Sequence, residues 1–277
     1  MISLPPRVAL LLCSLAATAF AVSPPLRETK RGWTDLLQLD PNAARQAFAA
    51  AQTVRPSDRE ARLGEALALL GTQPRTDANI ARAGELLAAL QAENPGDDPG
   101  IAAAYYAARI TQLHAPAPDA PAALAAYRAL IAAHPNNAYA QLAAPKLAIL
   151  LLYANVPPAE WERRAAEAEA LLAHATAPEA VRDLQLILAD AYLRLRRDHA
   201  RALPLLERCL ADALPLRSAH LDTVLIAAAE SARVLGRKPE AIGYYERYLA
   251  EFPRNVKVDE IRRRIADLAA GGTGDPR

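Results

Sequence analysis

Six prolines divide the sequence at nearly even intervals: Pro56, Pro95, Pro135, Pro178, Pro215 and Pro253, spaced 39, 40, 43, 37 and 38 residues apart. The residues ahead of each proline recur as well. Twelve positions before stand Ala44, Ala83, Ala123, Ala166, Leu203 and Ala241; eight before stand Phe48, Leu87, Tyr127, Ala170, Glu207 and Tyr245. The fifth repeat is out of step by one, and Ala202 and Leu206 restore its pattern. A fixed period of this length means that each repeat is one supersecondary unit that buries its apolar face only against its neighbours. Such arrays present long surfaces to other molecules, which points to binding over chemistry.

The first residues stand apart from the repeats. Arg7 gives a short positive start, Val8 to Ala19 is an apolar run, and Ala19-Phe20-Ala21 is a small-x-small cleavage site. This is the layout of a secretory signal peptide, with cleavage expected after Ala21. The run is shorter than the roughly 20 residues that span a bilayer. Leu12 ahead of Cys13 speaks against a lipoprotein signal. Export implies a periplasmic or secreted protein with no stable membrane span after cleavage. The remaining chain carries one cysteine, Cys209, so it has no internal disulfide to rely on. Apolar residues make up 52% of the sequence, enough to supply a core by burial. The formal net charge is +1 with no concentrated basic stripe, a poor profile for nucleic acid.

Residues 22–40 read as a flexible lead-in, 41–254 as the repeat array, and 255–277 as a capping helix and disordered tail. Alanine, leucine, arginine and glutamate dominate the array, all strong helix formers. Asp40-Pro41 and Asp119 ahead of Pro121 offer N-caps with proline in the first turn, and Ser57-Asp-Arg-Glu60 has capping-box spacing. The pattern predicts twelve helices, at about 41–54, 58–71, 77–93, 99–113, 121–133, 137–154, 158–174, 178–196, 198–212, 217–235, 238–251 and 255–269. Short links make successive helices antiparallel neighbours. The expected fold is therefore all-α, an α-solenoid of antiparallel helix pairs.

The last full repeat carries a family likeness. Leu225, Ala228, Ala229, Ala232, Gly236, Ala241, Tyr245, Tyr248 and Pro253 fall on the small, aromatic and proline sites of a 34-residue motif. In these residues the chain resembles a tetratricopeptide repeat (TPR) protein. Thr111, Ala123, Tyr127, Leu130 and Pro135 match in part, as do Gly71, Ala83, Leu87, Leu90 and Pro95. The spacing of 37–43 exceeds the family's 34 and suits HEAT-type repeats, which do not ask for the small–aromatic–proline triplet. The stretch Tyr244 to Pro253 is also similar to exported TPR proteins of outer-membrane assembly and Tol–Pal-linked cell division.

No catalytic signature stands out. The five histidines (His114, His134, His174, His199, His220) show no HxxxH or HExxH spacing and are expected near helix C-termini, where positive charge is favoured. Cys209 falls at an inward helical position, as a small buried hydrophobe. Asp190/Arg194 and Glu160/Arg164 are i,i+4 surface pairs worth a few tenths of a kcal/mol. Asp259/Arg263 and Glu260/Arg264 mark the final helix as a polar cap.

The resemblance implies a concave face lined by the first helix of each repeat. Carried over position by position, it includes Tyr105 and Gln112, then Asp183 and Asp190, then Ile226, Glu230 and Arg233. The expected function is a non-enzymatic protein–protein interaction scaffold of the bacterial cell envelope, holding a peptide or protein partner in that groove, with no cofactor and no metal. The alternatives are the helical domain of a peptidoglycan-acting enzyme, for which the repeats leave little room, and a solenoid that binds a small ligand.

Overall fold

In a computed structural model, described here for residues 26–211 and 218–271, every regular element is helical. The chain divides into two compact units, Met1–His134 and Pro135–Arg277. The expected signal peptide and its cleavage site lie outside the described residues, as do Pro215 and the last residues of the tail.

The first unit holds α1 (Arg27–Leu37), α2 (Pro41–Val54), α3 (Arg59–Gly71), α4 (Asp77–Glu93), α5 (Asp98–Leu113) and α6 (Ala120–Ala133). Each helix packs on the next, and α3 also meets α1 and α5. The second unit holds α7 (Ala138–Tyr153), α8 (Trp161–His174), α9 (Pro178–Ala191), α10 (His199–Ala211), α11 (Ser218–Val234), α12 (Lys238–Glu251) and α13 (Val258–Ala269). Successive contacts repeat there, with α7 also against α9. Each unit is thus an all-α solenoid of antiparallel hairpins with local packing.

The expected flexible lead-in is corrected by α1. Thr29, Gly32, Trp33 and Leu36 face inward, and the Thr29 hydroxyl donates to Asp58 Oδ2 at 2.9 Å. Asp58, not Ser57, caps α3, accepting from Ala61 N at 3.0 Å. Asp40, Thr76, Asp97, Asp119 and Asn137 cap their helices in the same way.

The recurring small residues are where helices cross. Ala44, Ala83, Ala123 and Ala241 are fully buried, as are Phe48, Leu87, Tyr127 and Tyr245. Phe48 shows why the facing sites must be small. Its ring lies against Gly32 of α1 and Gly64 of α3, and a Cβ on Gly32 would fall 2.6 Å from ring carbon Cε1. Trp33 meets the same ring edge to face at 5.4 Å.

The fourth repeat departs from the expected register, and the fifth keeps the one-residue offset that its sequence shows. In the fourth, Ala166 and Ala170 are exposed, while Ala165, Ala168 and Leu171 take the buried face. Pro178 opens α9, as the expected helix at 178–196 has it, so residues counted back from it as from a link proline fall off the buried face. In the fifth, Ala202 and Leu206 are buried and Glu207 faces outward to Tyr244 and Arg237. A π turn, Tyr192–Arg196, closes α9 in this repeat. From Tyr192 to Ala202 is ten residues, where the corresponding Ala232 to Ala241 is nine. The π turn holds the extra residue.

Polar side chains near the start of a first helix tie down the link that follows the next helix. Arg59 donates to the carbonyls of Leu90 and Asn94 and grips Asp97 at 2.7 and 2.9 Å. Buried Gln141 donates to the carbonyls of Pro135 (2.7 Å) and His174 (3.2 Å) and accepts from the amides of Thr176 (2.8 Å) and Ala177 (3.2 Å). Each link is fixed by the preceding hairpin, not by its own turn chemistry alone. Four first helices, α1, α7, α9 and α11, are followed by a left-handed residue, at Leu39 (φ 62°), Asn155 (φ 43°), Arg197 (φ 54°) and Gly236 (φ 75°), whereas α3 and α5 end on Thr72 and His114 with negative φ.

The expected cap helix forms with a different pairing. Arg264 meets Glu260 at 2.6 Å, but Asp259 pairs with Arg262 at 3.3 Å and Arg263 bonds only the Asp259 carbonyl. Of the histidines, His114, His134 and His174 sit at helix C-termini; His199 and His220 lie in the first turns of α10 and α11.

Candidate binding face

The first helices of the second unit share one burial pattern, which fixes their register. Leu184, Gln185, Leu188, Ala189, Ala191 and Tyr192 are buried along α9 and its closing turn, and Val224, Leu225, Ala228, Ala229, Ser231 and Ala232 are buried 40 residues later in α11. Leu147, Ala148, Leu151 and Leu152 repeat it in α7, 37 residues before their α9 equivalents. The positions between these stripes form the opposite, solvent-facing side. One is apolar in all three helices: Ile149, Leu186 and Ile226, each only partly covered. It is flanked by Lys146, Asp183 and Thr223 on one side and by Tyr153, Asp190 and Glu230 on the other.

The polar flanks are held in place by neighbours. Asp190 accepts from the Tyr153 hydroxyl at 2.6 Å and from Arg194 Nε at 2.6 Å, so both of its oxygens are fixed. Burial and this carboxylate push the Tyr153 phenol above its usual range. Glu230 accepts from Arg233 Nε at 2.9 Å and also holds Arg264 and the Tyr245 hydroxyl. Burial raises the Tyr245 phenol to about 12. Asp183 is half-exposed, 3.8 Å from Arg182. Burial raises its carboxyl, opposed by the charges of Arg182, Lys146 and His220.

The candidate residues therefore divide. Asp183, Asp190, Ile226, Glu230 and Arg233 lie on this face of the second unit. Tyr105 and Gln112 lie on α5 of the first. Tyr105 is buried, its ring 5.0 Å from that of Tyr106 and 6.3 Å from that of Tyr127. Gln112 Oε1 accepts from Tyr127 at 2.8 Å and from Arg109 at 2.9 Å, so it braces the hairpin from within. Sequence reasoning omitted α7, and with it Lys146, Ile149 and Tyr153. The 37-residue steps from Lys146 to Asp183 and from Tyr153 to Asp190 were the available signal.

Cys209 is buried, with Sγ 3.3 Å from Gln185 Oε1. Among the described residues no group of three or more His, Cys, Asp or Glu side chains is placed to hold a metal ion. No helix among them is long and apolar enough to cross a membrane.

No protein-family description matches the chain, and no curated protein matches it. Among solved structures, it is similar to a tetratricopeptide repeat protein from Parabacteroides merdae, at 14% identity over 89% of this chain and 86% of that one, with a TM-score of 0.48. It is similar also to a thermophilic TPR protein of Thermus thermophilus (17% identity, 88% and 97% covered, TM-score 0.34). A third is the flexible tandem repeat domain of a bacterial cellulose synthase component (19% identity, 89% and 98% covered, TM-score 0.34). The TPR-like character of this chain rests on its own packing: alanine or glycine where helices cross, and a ring from the second helix beside it.

Proposed function

We propose that this chain is a non-enzymatic protein-interaction scaffold of the bacterial cell envelope, which lays a peptide or partner helix across the first helices of its second unit. The carrying observation is the register of Ile149, Leu186 and Ile226: one apolar position repeated in three successive first helices and left partly open to solvent. An extended or helical segment reads such a row through apolar anchors, while the flanking Lys146, Asp183, Asp190 and Glu230 set its orientation. Asp190 and Glu230 are already braced by their own neighbours, which lowers the cost of ordering them on binding. The signal-like start of the sequence supports the envelope setting.

The test is site-specific photo-crosslinking from Leu186 and Ile226 in cells, with Arg247 on α12 as the control position. One defined adduct from the first two positions and none from the third is expected. Purified Ile149→Asp and Ile226→Asp proteins should bind that partner at least tenfold more weakly. Unchanged binding by both folded variants would remove this face as the docking site.

A further inference from the structure

Most half-buried guanidinium groups in this protein meet a carboxylate. Arg59, Arg62, Arg164, Arg201, Arg233 and Arg264 all do. Among the described residues Arg45, Arg55, Arg75 and Arg109 have no such partner, and the last two share one end of the first unit. Arg75 lies in the link between α3 and α4; its Nε donates to the Leu70 carbonyl at 3.2 Å and its Nη1 to His114 Nδ1 at 3.1 Å. That contact assigns Nδ1 of His114 as the acceptor and leaves Nε2 to carry the ring proton. Arg109 stands one turn earlier on α5 and donates to Gln112 Oε1 at 2.9 Å. The charges of both arginines act on the His114 ring. All three side chains are half-buried, and no carboxylate among the described residues pairs with either guanidinium.

We propose that Arg75, Arg109 and His114 form a binding site for one oxyanion group, a carboxylate or a phosphate. Two guanidinium groups brought together without a counter-charge repel one another in a half-buried place, and both disfavour the protonated form of the His114 ring. An anion reverses that term, and Arg offers a planar fork matched to two oxygens of a carboxylate or phosphate. His114 Nε2–H adds a third donor. Leu113, exposed beside the ring, provides an apolar border for whatever carries the anion.

The experiment uses the full chain and reads the His114 ring by proton–carbon NMR, assigned by its loss in His114→Gln. Inorganic phosphate, acetate and a short peptide are titrated at constant ionic strength, the peptide with a free and with an amidated C-terminus. A saturable shift of the His114 signals, with the ring titrating at higher pH when the anion is bound, is expected. Arg75→Gln and Arg109→Gln should each weaken binding about tenfold, close to 1.4 kcal/mol. Saturation by phosphate ahead of the carboxylates assigns a phosphate ligand; saturation by the free peptide and not the amidated one assigns a carboxylate. Should the Gln variants fail to fold, Arg75→Lys keeps the charge without the fork and should still bind several-fold more weakly. A shift that rises linearly with every anion, or equal affinity in wild type and a folded Arg75 variant, overturns the site.

Discussion

Gly64→Ala should destabilise this protein, although alanine is the better helix former. In an open helix interior the exchange gains about 1 kcal/mol. Here the new Cβ would sit 2.6 Å from Cε2 of Phe48 and nearer still to Cζ and Cε1. Ordinary carbon–carbon contact is near 3.5–4.0 Å, so the ring must move by more than about 1 Å. It has no open side, being fully buried with Gly32 and Trp33 against it. Overpacking of this kind costs about 1–3 kcal/mol and occasionally more. Since the ring cannot shift without losing contacts on α1, we take the upper part of that range, for a net loss of about 1–2 kcal/mol.

The assay is urea unfolding followed by Trp33 fluorescence in a Trp161→Phe background, which leaves one tryptophan, in edge contact with the ring. A repeat array can unfold in stages, so a local probe is preferable to a global one. In a Phe48→Leu background the clash is relieved and Gly64→Ala should become neutral or stabilising. If Gly64→Ala stabilises the protein with Phe48 in place, the account of small residues at the crossings is wrong.

Gln141→Ala strips two carbonyls and two amides of their partner at a buried link and should cost roughly 3 kcal/mol in urea unfolding; a loss below about 1 kcal/mol would show that the link holds itself. Arg62 and Arg59 pull the Glu93 carboxyl from 4.5 to about 2. Because the folded value lies below the unfolded one, its stabilisation is present above pH 4.5 and is lost as pH falls toward 2; a carboxyl-carbon NMR midpoint near 4.5 would contradict the pairing. Tyr245→Phe should cost more than Tyr127→Phe, about 2 against about 1 kcal/mol by thermal or urea melts, since the first removes a bond to a carboxylate and the second a bond to an amide. Leu39→Gly should stabilise by about 0.5–1 kcal/mol, because Leu39 is 74% exposed and holds a left-handed φ of 62°; a loss would mean that its side chain packs on something.

The sequence was most legible where one residue type answers to one packing requirement. Ala44, Ala83, Ala123 and Ala241 could be read as crossing sites because only a small side chain lets two helix backbones approach. The fourth repeat shows a limit of the proline as a register mark: Pro178 opens α9, as the expected helix at 178–196 has it, where Pro56, Pro95 and Pro135 lie in links. Counting back twelve and eight residues from it therefore put Ala166 and Ala170 on the wrong face. The first helix was missed for a different reason. Arg27 to Leu37 is crowded with charge and carries little apolar weight, so only its packing on α2 and α3 makes it a helix. Candidate binding residues were harder to read than core. Glu230 and Gln112 occupy the same register, fifteen residues before a tyrosine, and both hold that tyrosine's hydroxyl. Residue spacing alone does not show that each of these polar side chains is already engaged within its own hairpin.

The wide turn that closes α9 has a bearing on how such arrays change length. An added residue in a regular helix rotates everything after it by about 100° and would swing the next hairpin's apolar side into water. Swelling a single loop of backbone absorbs the addition locally, so Ala202, Leu206 and Cys209 keep their inward aim. Uneven period and even architecture are compatible on this account, and a one-residue deletion between Tyr192 and Arg196 is the indel that this chain should tolerate best.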